Sequence, residues 1–384
     1  MTGCEKPDGH GHGRSIRVLH VIDSFDLGGA QEAILQLAIR CDSDWITSEV
    51  AALHGRGIYF QRFREAGIVC HSLSPSKFLP FYVPALIRLI VRRRFDVVHC
   101  HLIASNLVAK PIAALLGVPV RINHDHSNDS YRGAGGVRMY LDRLANHLST
   151  HVCAVSASTR DFLLRREKLP PSRVTLIYNG TDLSRYRPPS ADEKITARRA
   201  YGLNEAGIVV GGVGRLNYQK NFSLFLEVAA RLRKRHPHIQ YILAGDGPER
   251  NALEQQVDRL DLRERVRFAG LVRDMASFYP VFDILLMPSR FEGLPLTLLE
   301  AMAMEIPAVA SAVDGVAEIV ENERDGILVQ PGNVGAFEEK LEALIAHPRK
   351  IGVLGRAARE KIVAHFSCER MTRAVEALYR QYIP

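Results

Sequence analysis

Two glutamates, Glu292 and Glu300, stand in the stretch SRFEGLPLTLLEAMA, and the seven residues between them carry no other charge. Desolvating a carboxylate in an apolar setting is costly unless a partner or a ligand uses it. The Gly293-Leu294-Pro295 segment reads as the opening of a helix, because proline suits the first turn. The free backbone N–H groups there form an anion site. Glu292 precedes that helix and Glu300 lies within it, so periodicity does not put them on one face. They can still converge on one ligand whose phosphates sit at the helix start, since ionised carboxylates are pure acceptors suited to hydroxyl groups. A second cluster, GRLNYQKN, sets Arg215 and Lys220 five apart just past an apolar strand, where two cations can neutralise a diphosphate. Alone, that pair reads as solvated surface charge; beside the glutamate motif it reads as an anion clamp.

Histidines form a third group. DVVHCH (Asp96 to His101) and RINHDHSN (Arg121 to Asn128) each carry two histidines at a strand end. His99 and His101 are two apart and share a strand face; His99 reads as a satisfied structural histidine, and His101 is kept as a site candidate. Asp42-Ser43-Asp44 has the spacing of a metal-binding D-x-D motif but follows a helix rather than a central strand, so no metal is expected there. Six cysteines without a C-x-x-C pair argue against a zinc site or a disulfide framework. Reduced thiols and a cytoplasmic setting are the expectation.

These groups need elements to position them. RVLHVID is a strand candidate, followed by a Gly28-Gly29 break and the helical pattern AQEAILQLAIR. Further strands are expected at TSEVAAL, GIVCHSL, DVVHCH, VRINHD, HVCAVS and RVTLIYN, most of them separated by helix-length segments. After Pro188-Pro189-Ser190, read as the linker, the pattern restarts at GIVVGGVGRL and runs through IQYILAG, VRFAG, DILLMPS, PAVAS and GILVQ. Such alternation predicts an α/β protein with two doubly wound parallel-sheet domains, and ligands at the carboxyl ends of their strands. The boundaries read as an unstructured tail over 1–13 that includes His10 and His12, a first domain over 14–187, a second over 188–366, and a last helix over 367–384. Ser367 is the expected N-cap of that helix, with Glu369 in its first turn; its packing is left open, a return to the first domain being one option.

The 384 residues are too many for one ordinary core, and 47% hydrophobic with 24% charged residues is the composition of a folded protein. The longest candidate membrane span, Ala104 to Val120, is broken by Asn106, Lys110 and Pro111. The first residues lack the apolar core of a signal peptide. Residues 1–189 hold 24 Lys and Arg against 16 Asp and Glu, whereas 190–384 hold 26 of each, so the whole excess of eight positive charges lies in the first half. That excess calls for an anionic neighbour, a membrane surface or a phosphate-bearing acceptor; nucleic acid is not expected, because no aromatic-rich basic motif accompanies it. The run PALIRLIVRRRFD reads first as an ordinary helix on the sheet, and alternatively as a basic amphipathic helix on lipid.

The second half resembles the retaining nucleotide-sugar glycosyltransferases of family four, which have the GT-B fold of two Rossmann-like domains facing across a cleft. GVGRLNYQKN, LAGDGPERNAL, VRFAGLV, DILLMPSRFEGLPLTLLEAMAMEIPAVAS and GILVQPGN carry the resemblance in the family's order, and Glu292 and Glu300 match its E-x7-E pattern. The resemblance implies that Glu300 binds the donor ribose and Glu292 lies at the transferred sugar. Arg215 and Lys220 would hold the diphosphate with the Gly293 and Leu294 amides and the Gly28-Gly29 turn. Backbone around Arg267 and Phe268 would contact the base. His126, chosen over His124 because HxHSN resembles polysaccharide-synthesising members, would be the active-site histidine.

A retaining hexosyl- or N-acetylhexosaminyltransferase is thus expected, extending a lipid-linked or cell-envelope glycan such as lipopolysaccharide. UDP-sugar is the first donor candidate and GDP-sugar the second; no essential metal or other cofactor is expected. Cytoplasmic location, with peripheral contact to anionic membrane, goes with that reading. A noncatalytic nucleotide-sugar-binding subunit is the competing class. A dinucleotide-dependent oxidoreductase is disfavoured, because Gly212-Val213-Gly214-Arg215-Leu216-Asn217 ends in asparagine where a third glycine belongs.

Overall fold

The computed structural model describes residues 15–76, 81–126 and 137–383. The tail 1–13, with His10 and His12, lies outside the described residues, as do Ser127 and Asn128 of the second histidine motif.

Near-continuous apolar runs suit strands buried on both faces of a parallel sheet, and two such sheets form. The first contains β1 (Ile16–Ser24), β2 (Ile46–His54), β3 (Val69–Ser72), β4 (Val97–His101), β5 (Val120–Asp125), β6 (His151–Ala154) and β7 (Val174–Leu176). Their spatial order is β3-β2-β1-β4-β5-β6-β7. The second contains β8 (Val209–Val213), β9 (Gln240–Ala244), β10 (Val266–Gly270), β11 (Ile284–Met287), β12 (Ala308–Ser311) and β13 (Ile327–Val329), in the order β10-β9-β8-β11-β12-β13. Every strand expected from the sequence is present. In both sheets the order reverses beside the first strand, between β1 and β4 and between β8 and β11. Those are the switch points where doubly wound sheets open a crevice for ligands.

The first sheet is wrapped by α1 (Gly29–Arg40), α2 (Ile58–Glu65), α3 (Tyr82–Arg93), α4 (Ile103–Leu115), α5 (Val137–His147) and α6 (Ala157–Arg165). The second carries α7 (Ala191–Ala200), α8 (Phe222–Leu232), α9 (Arg250–Arg259), α10 (Met275–Phe278), α11 (Leu296–Ala303), α12 (Val316–Ile319), α13 (Val334–Ala346) and α14 (Pro348–His365). Close packing explains the glycines of β8. A Cβ on Gly211 would lie 2.3 Å from the Phe282 ring, and one on Gly212 would lie 2.6 Å from Leu243.

The last helix, α15 (Cys368–Tyr382), begins at Ser367, whose hydroxyl accepts from the Arg370 amide. It packs on the first sheet: Met371, Val375, Leu378 and Tyr379 are buried in one cluster with Ile16, Val18, Val97 and Ile122. The chain therefore crosses between the units twice, and the crossings touch. Thr181 bridges Ser367, and a Cβ on Gly180 would lie 2.3 Å from the Ser367 carbonyl oxygen. The segment Asn179-Gly180-Thr181-Asp182 thus lies against the passage into α15. Pro188-Pro189-Ser190 comes later, on the second unit, where Ser190 caps α7 in a reciprocal capping box with Glu193.

Candidate active site

The carboxyl ends of β8 and β11 supply the charged half of the site. Glu292 follows β11 and is 5% exposed. Lys220, in the loop after β8, donates to its Oε1 at 2.6 Å, and Gln219 Nε2 approaches its Oε2 at 3.4 Å. The Glu292 amide donates to Asp314 Oδ2 at 3.0 Å, which fixes the backbone as well. Gly315, the next residue, must be glycine here, because a Cβ would lie 2.0 Å from the Gly293 carbonyl oxygen. Arg215 is exposed in the same loop as Lys220.

Glu300 is held differently. It sits in α11, 6% exposed, and accepts the Tyr279 hydroxyl at 2.7 Å; Tyr186 packs edge-on against Tyr279, with ring centroids 6.0 Å apart. Burial pushes its carboxyl up to about 7 despite the lowering pull of Tyr279, with Glu32 adding repulsion. Glu32 belongs to α1 of the first unit, so the glutamate pocket faces that unit. Burial raises the Glu32 carboxyl too, but Arg62, Tyr59 and Gln36 outweigh it and hold the group below the usual range; the Arg62 Nη1 and Tyr59 hydroxyl bonds are both 2.6 Å.

Between these groups two helix starts meet. The N-caps Gly28 of α1 and Pro295 of α11 give no side-chain cap, so the leading amides of both helices have no capping side chain, although the Leu298 amide turns back to the Pro295 carbonyl at 3.1 Å. The starts are adjacent, because a Cβ on Gly29 would lie 3.8 Å from Leu296 Cδ1. Two helix dipoles thus point positive ends at one place. The Gly28-Gly29 turn therefore lies beside the start of the helix that Gly293 and Leu294 lead into, and Asn179 donates to the Leu294 carbonyl at 3.3 Å. Arg267 and Phe268 lie on edge strand β10. The Arg267 guanidinium donates to the Arg263 carbonyl at 2.9 Å, and Phe268 lies under Arg250 at 4.6 Å. Their side chains are spent on their own unit, which leaves backbone as the part of β10 available to a base. A cavity of about 770 Å³ opens nearby, lined by Arg185, Tyr201, Leu271 and Asp274 among others. It excludes Glu292 and Glu300, so the groups that bear the chemistry lie outside it.

The first switch point is lined with neutral histidines. His20 Nδ1 and His101 Nε2 are 3.1 Å apart, and His101 Nδ1 and His126 Nε2 are also 3.1 Å apart. Each pair shares one proton, so the tautomers of the three rings are linked. His20 and His101 are buried, whereas His126, just past β5, is partly exposed. His124 is buried with neither ring nitrogen bonded, and His99 accepts or donates at 2.7 Å to the Tyr379 hydroxyl of α15. Burial lowers all five rings, His20 to about 3 and His124 to about 4, with mutual repulsion adding to the effect on His20, His99, His101 and His126. Of the two histidines that compete for the site, His126 is the one with an open side.

The ligand atoms of His99, His124 and Cys153 lie within 4.8 Å of one another, as do those of His20-His99-His101 and His101-His124-His126. In the last two groups a pair of nitrogens is already joined. In the first, burial pushes the Cys153 thiol up to about 12. Asp42 holds the Asp44 amide at 3.1 Å in a local turn.

Several positioning residues were not legible as such. Tyr279 carries no motif that marks it as a partner of Glu300, and none marks Tyr186 as its neighbour. Glu318, whose two oxygens accept from the Ala157 and Ser158 amides at 2.8 and 2.9 Å, joins α12 to the start of α6 across the units. His20 lies in an apolar strand, and only its alternation with inward-facing residues hints at the cluster.

Comparison with known proteins agrees with this geometry. The family described as Glycosyltransferase Family 4 matches residues 27–185, and Glycosyl transferases group 1 matches residues 193–361. EpsF of Bacillus subtilis (strain 168), which bears a provisional glycosyltransferase name, is 30% identical over 79% of this chain and 81% of its own length. An Escherichia coli UDP-Gal:alpha-D-GlcNAc-diphosphoundecaprenol alpha-1,3-galactosyltransferase is 25% identical over 81% of each. Among solved structures, Anabaena HepE in complex with UDP-glucose superposes with a TM-score of 0.87 at 20% identity, covering 95% of this chain and 100% of that one. Sucrose-phosphate synthase from Thermosynechococcus elongatus gives 0.81 at 21% identity, over 95% and 98%. These likenesses establish the GT-B architecture. The chain belongs to the family-four glycosyltransferases, enzymes that draw on a nucleotide-sugar donor.

Proposed function

We propose that the protein transfers a hexosyl or N-acetylhexosaminyl group, with retention at the anomeric carbon, from a UDP-sugar to a lipid-linked or cell-envelope glycan. The observation that carries the donor half is the meeting of the uncapped starts of α1 and α11 beside Lys220 and Glu292. A diphosphate placed there meets two sets of free amides and two cations, Arg215 and Lys220. Departure of the sugar develops negative charge on that diphosphate, and preorganised donors stabilise it as it forms. This arrangement provides the positive charge without an essential metal. Glu300 accepts from the ribose hydroxyls, the backbone around Arg267 and Phe268 contacts the base, and Glu292 and His126 hydrogen-bond the sugar.

UDP is favoured over GDP because the Escherichia coli relative is named for UDP-galactose and HepE was solved with UDP-glucose. The same Escherichia coli name, with its diphosphoundecaprenol acceptor, supports a lipid-linked acceptor met at the cytoplasmic membrane face. The competing noncatalytic reading gains nothing from the site, which keeps both glutamates and His126. Calorimetry with UDP and GDP, followed by NMR of the product made from a UDP-sugar, tests the proposal. Tight UDP binding that Glu300→Ala weakens, with an axial-to-axial outcome, is expected. An inverted product would sink the retaining assignment, and indifference of binding to Glu300→Ala would sink the donor site.

A further inference from the structure

The turn between β12 and α12, Ala312 to Gly315, touches both units and the Glu292 loop at once. Asp314 stands there at φ +39°, in the left-handed region that glycine enters freely and other residues uncommonly. A residue other than glycine kept in such a conformation points to a side chain in use. Gly315 beside it permits the turn to press on the loop after β11, because a Cβ there would collide with the Gly293 carbonyl oxygen.

The Asp314 carboxylate divides its oxygens between the units. Oδ2 accepts from the Glu292 amide at 3.0 Å, on the second unit, and Oδ1 accepts from the Ser158 hydroxyl at 3.3 Å, on the first. Ser158 belongs to the first turn of α6, and the same stretch of chain grips that turn again. One oxygen of Glu318 accepts from the Ala157 amide at 2.8 Å and the other from the Ser158 amide at 2.9 Å. Within α6, Ser156 Oγ takes only the Thr159 amide, at 3.1 Å. The leading amides of α6 are thus satisfied by a carboxylate of the other unit, in charge-assisted bonds at the positive end of a helix dipole. Asp314 and Glu318 sit on one short segment, so a shift of α6 away from α12 pulls on Asp314 and through it on the Glu292 backbone. The side chain of Glu292 is held within its own unit, by Lys220 at 2.6 Å, whereas its backbone is tied through Asp314 to the other unit.

We infer that Asp314 is a positioning residue, which sets the backbone of Glu292 according to whether α6 is docked on the Asp314–Glu318 turn. The inference rests on the reading of Glu292 as a group that meets the transferred sugar. Glu292 then takes its working place only when the first unit, which carries His126, has closed on the second. Hinge closure of two domains around a ligand is a common movement; the geometry here adds the residue through which contact between the units reaches the sugar side of the site.

Hydrogen exchange of the full chain, read at the Glu292 amide, tests this. Asp314→Asn keeps a residue type that tolerates the left-handed conformation but leaves one acceptor oxygen for two donors. Glu318→Gln weakens the hold on α6 and leaves Asp314 in place. Both variants are expected to raise exchange at the Glu292 amide by about fivefold or more, while amides in the two sheets keep their protection, which reports that the chain folds. In both, kcat should fall, by up to about 10²-fold as for a small misplacement at a reacting centre, with KM for the UDP-sugar unchanged. A residue that only shaped the turn would tolerate asparagine, so unchanged exchange in Asp314→Asn overturns the inference. So does exchange that rises in Asp314→Asn and not in Glu318→Gln, since the Glu292 backbone would then be indifferent to the other unit. Exchange that rises in both variants beside an unchanged kcat would uphold the tie and strike the placing of Glu292 at the sugar instead.

Discussion

The two switch points have the same topology and opposite chemistry. Beside β8 and β11 the site is ionic: Lys220 grips Glu292, and charged or dipolar donors crowd around two helix starts. Beside β1 and β4 it is neutral, with five histidines that burial keeps uncharged, of which His126 alone is partly exposed. The difference fits a division of labour. A leaving diphosphate needs fixed positive charge, whereas a sugar hydroxyl needs a hydrogen-bond partner that does not attract stray anions.

The largest expected effect tests whether the neutral half depends on the returning helix. Ending the chain after Phe366 removes α15, including four buried side chains worth roughly 1.5–3 kcal/mol each at full burial, an upper bound. It also leaves His99 without the Tyr379 hydroxyl. Limited proteolysis should then find the first unit degraded and the second intact. Equal survival of both units would show that the first unit stands without α15.

Next comes Lys220→Ala. It leaves a buried Glu292 carboxylate without its cation, and loss of one preorganised charge should lower kcat by roughly 10²–10³. His126→Ala should lower kcat by a smaller factor, on the order of 10², with nucleotide affinity unchanged. If instead His126→Ala weakened UDP binding as much as Lys220→Ala does, the division between the halves would fail.

The smallest effect is a pH dependence. In the proposed donor site Glu300 accepts from the ribose hydroxyls more strongly when ionised, and its carboxyl is raised to about 7. Nucleotide affinity should therefore fall roughly tenfold between pH 8 and pH 6, and titration calorimetry of Glu300→Gln should show a flat profile. Stability runs the other way. Between the ordinary carboxyl range and about 7, the folded chain holds a proton that the unfolded chain has released, so this group makes stability fall as pH rises through that window. Melting of Glu300→Gln should lack that decline.

Much of this was legible in residue order, for physical reasons. Strands buried on both faces are written as apolar runs, which is why all thirteen were found. Gly293-Leu294-Pro295 marks a helix start by local chemistry alone. What stayed hidden depends on distant contacts. The Tyr279 hydroxyl reaches Glu300 across 21 positions, and Glu318 reaches Ala157 across 161; nothing local distinguishes these side chains from ordinary surface or core residues. Pro188-Pro189 reads as the linker because prolines punctuate a sequence, whereas the contact of Gly180 and Thr181 with Ser367, where two backbones touch, carries no such local mark. The polar inner face of α5 was missed for the same reason, since Asp142 and Asn146 find their partners on α4, β5 and just past α6.

One measurement bears most directly on the ionic half as the donor site: calorimetric titration of UDP into the wild type and into Lys220→Ala, Glu300→Gln and His126→Ala. Binding that is lost or strongly weakened in the first two and preserved in the third is the expected result. Binding that survives Lys220→Ala and Glu300→Gln, or that depends on His126 instead, would contradict it.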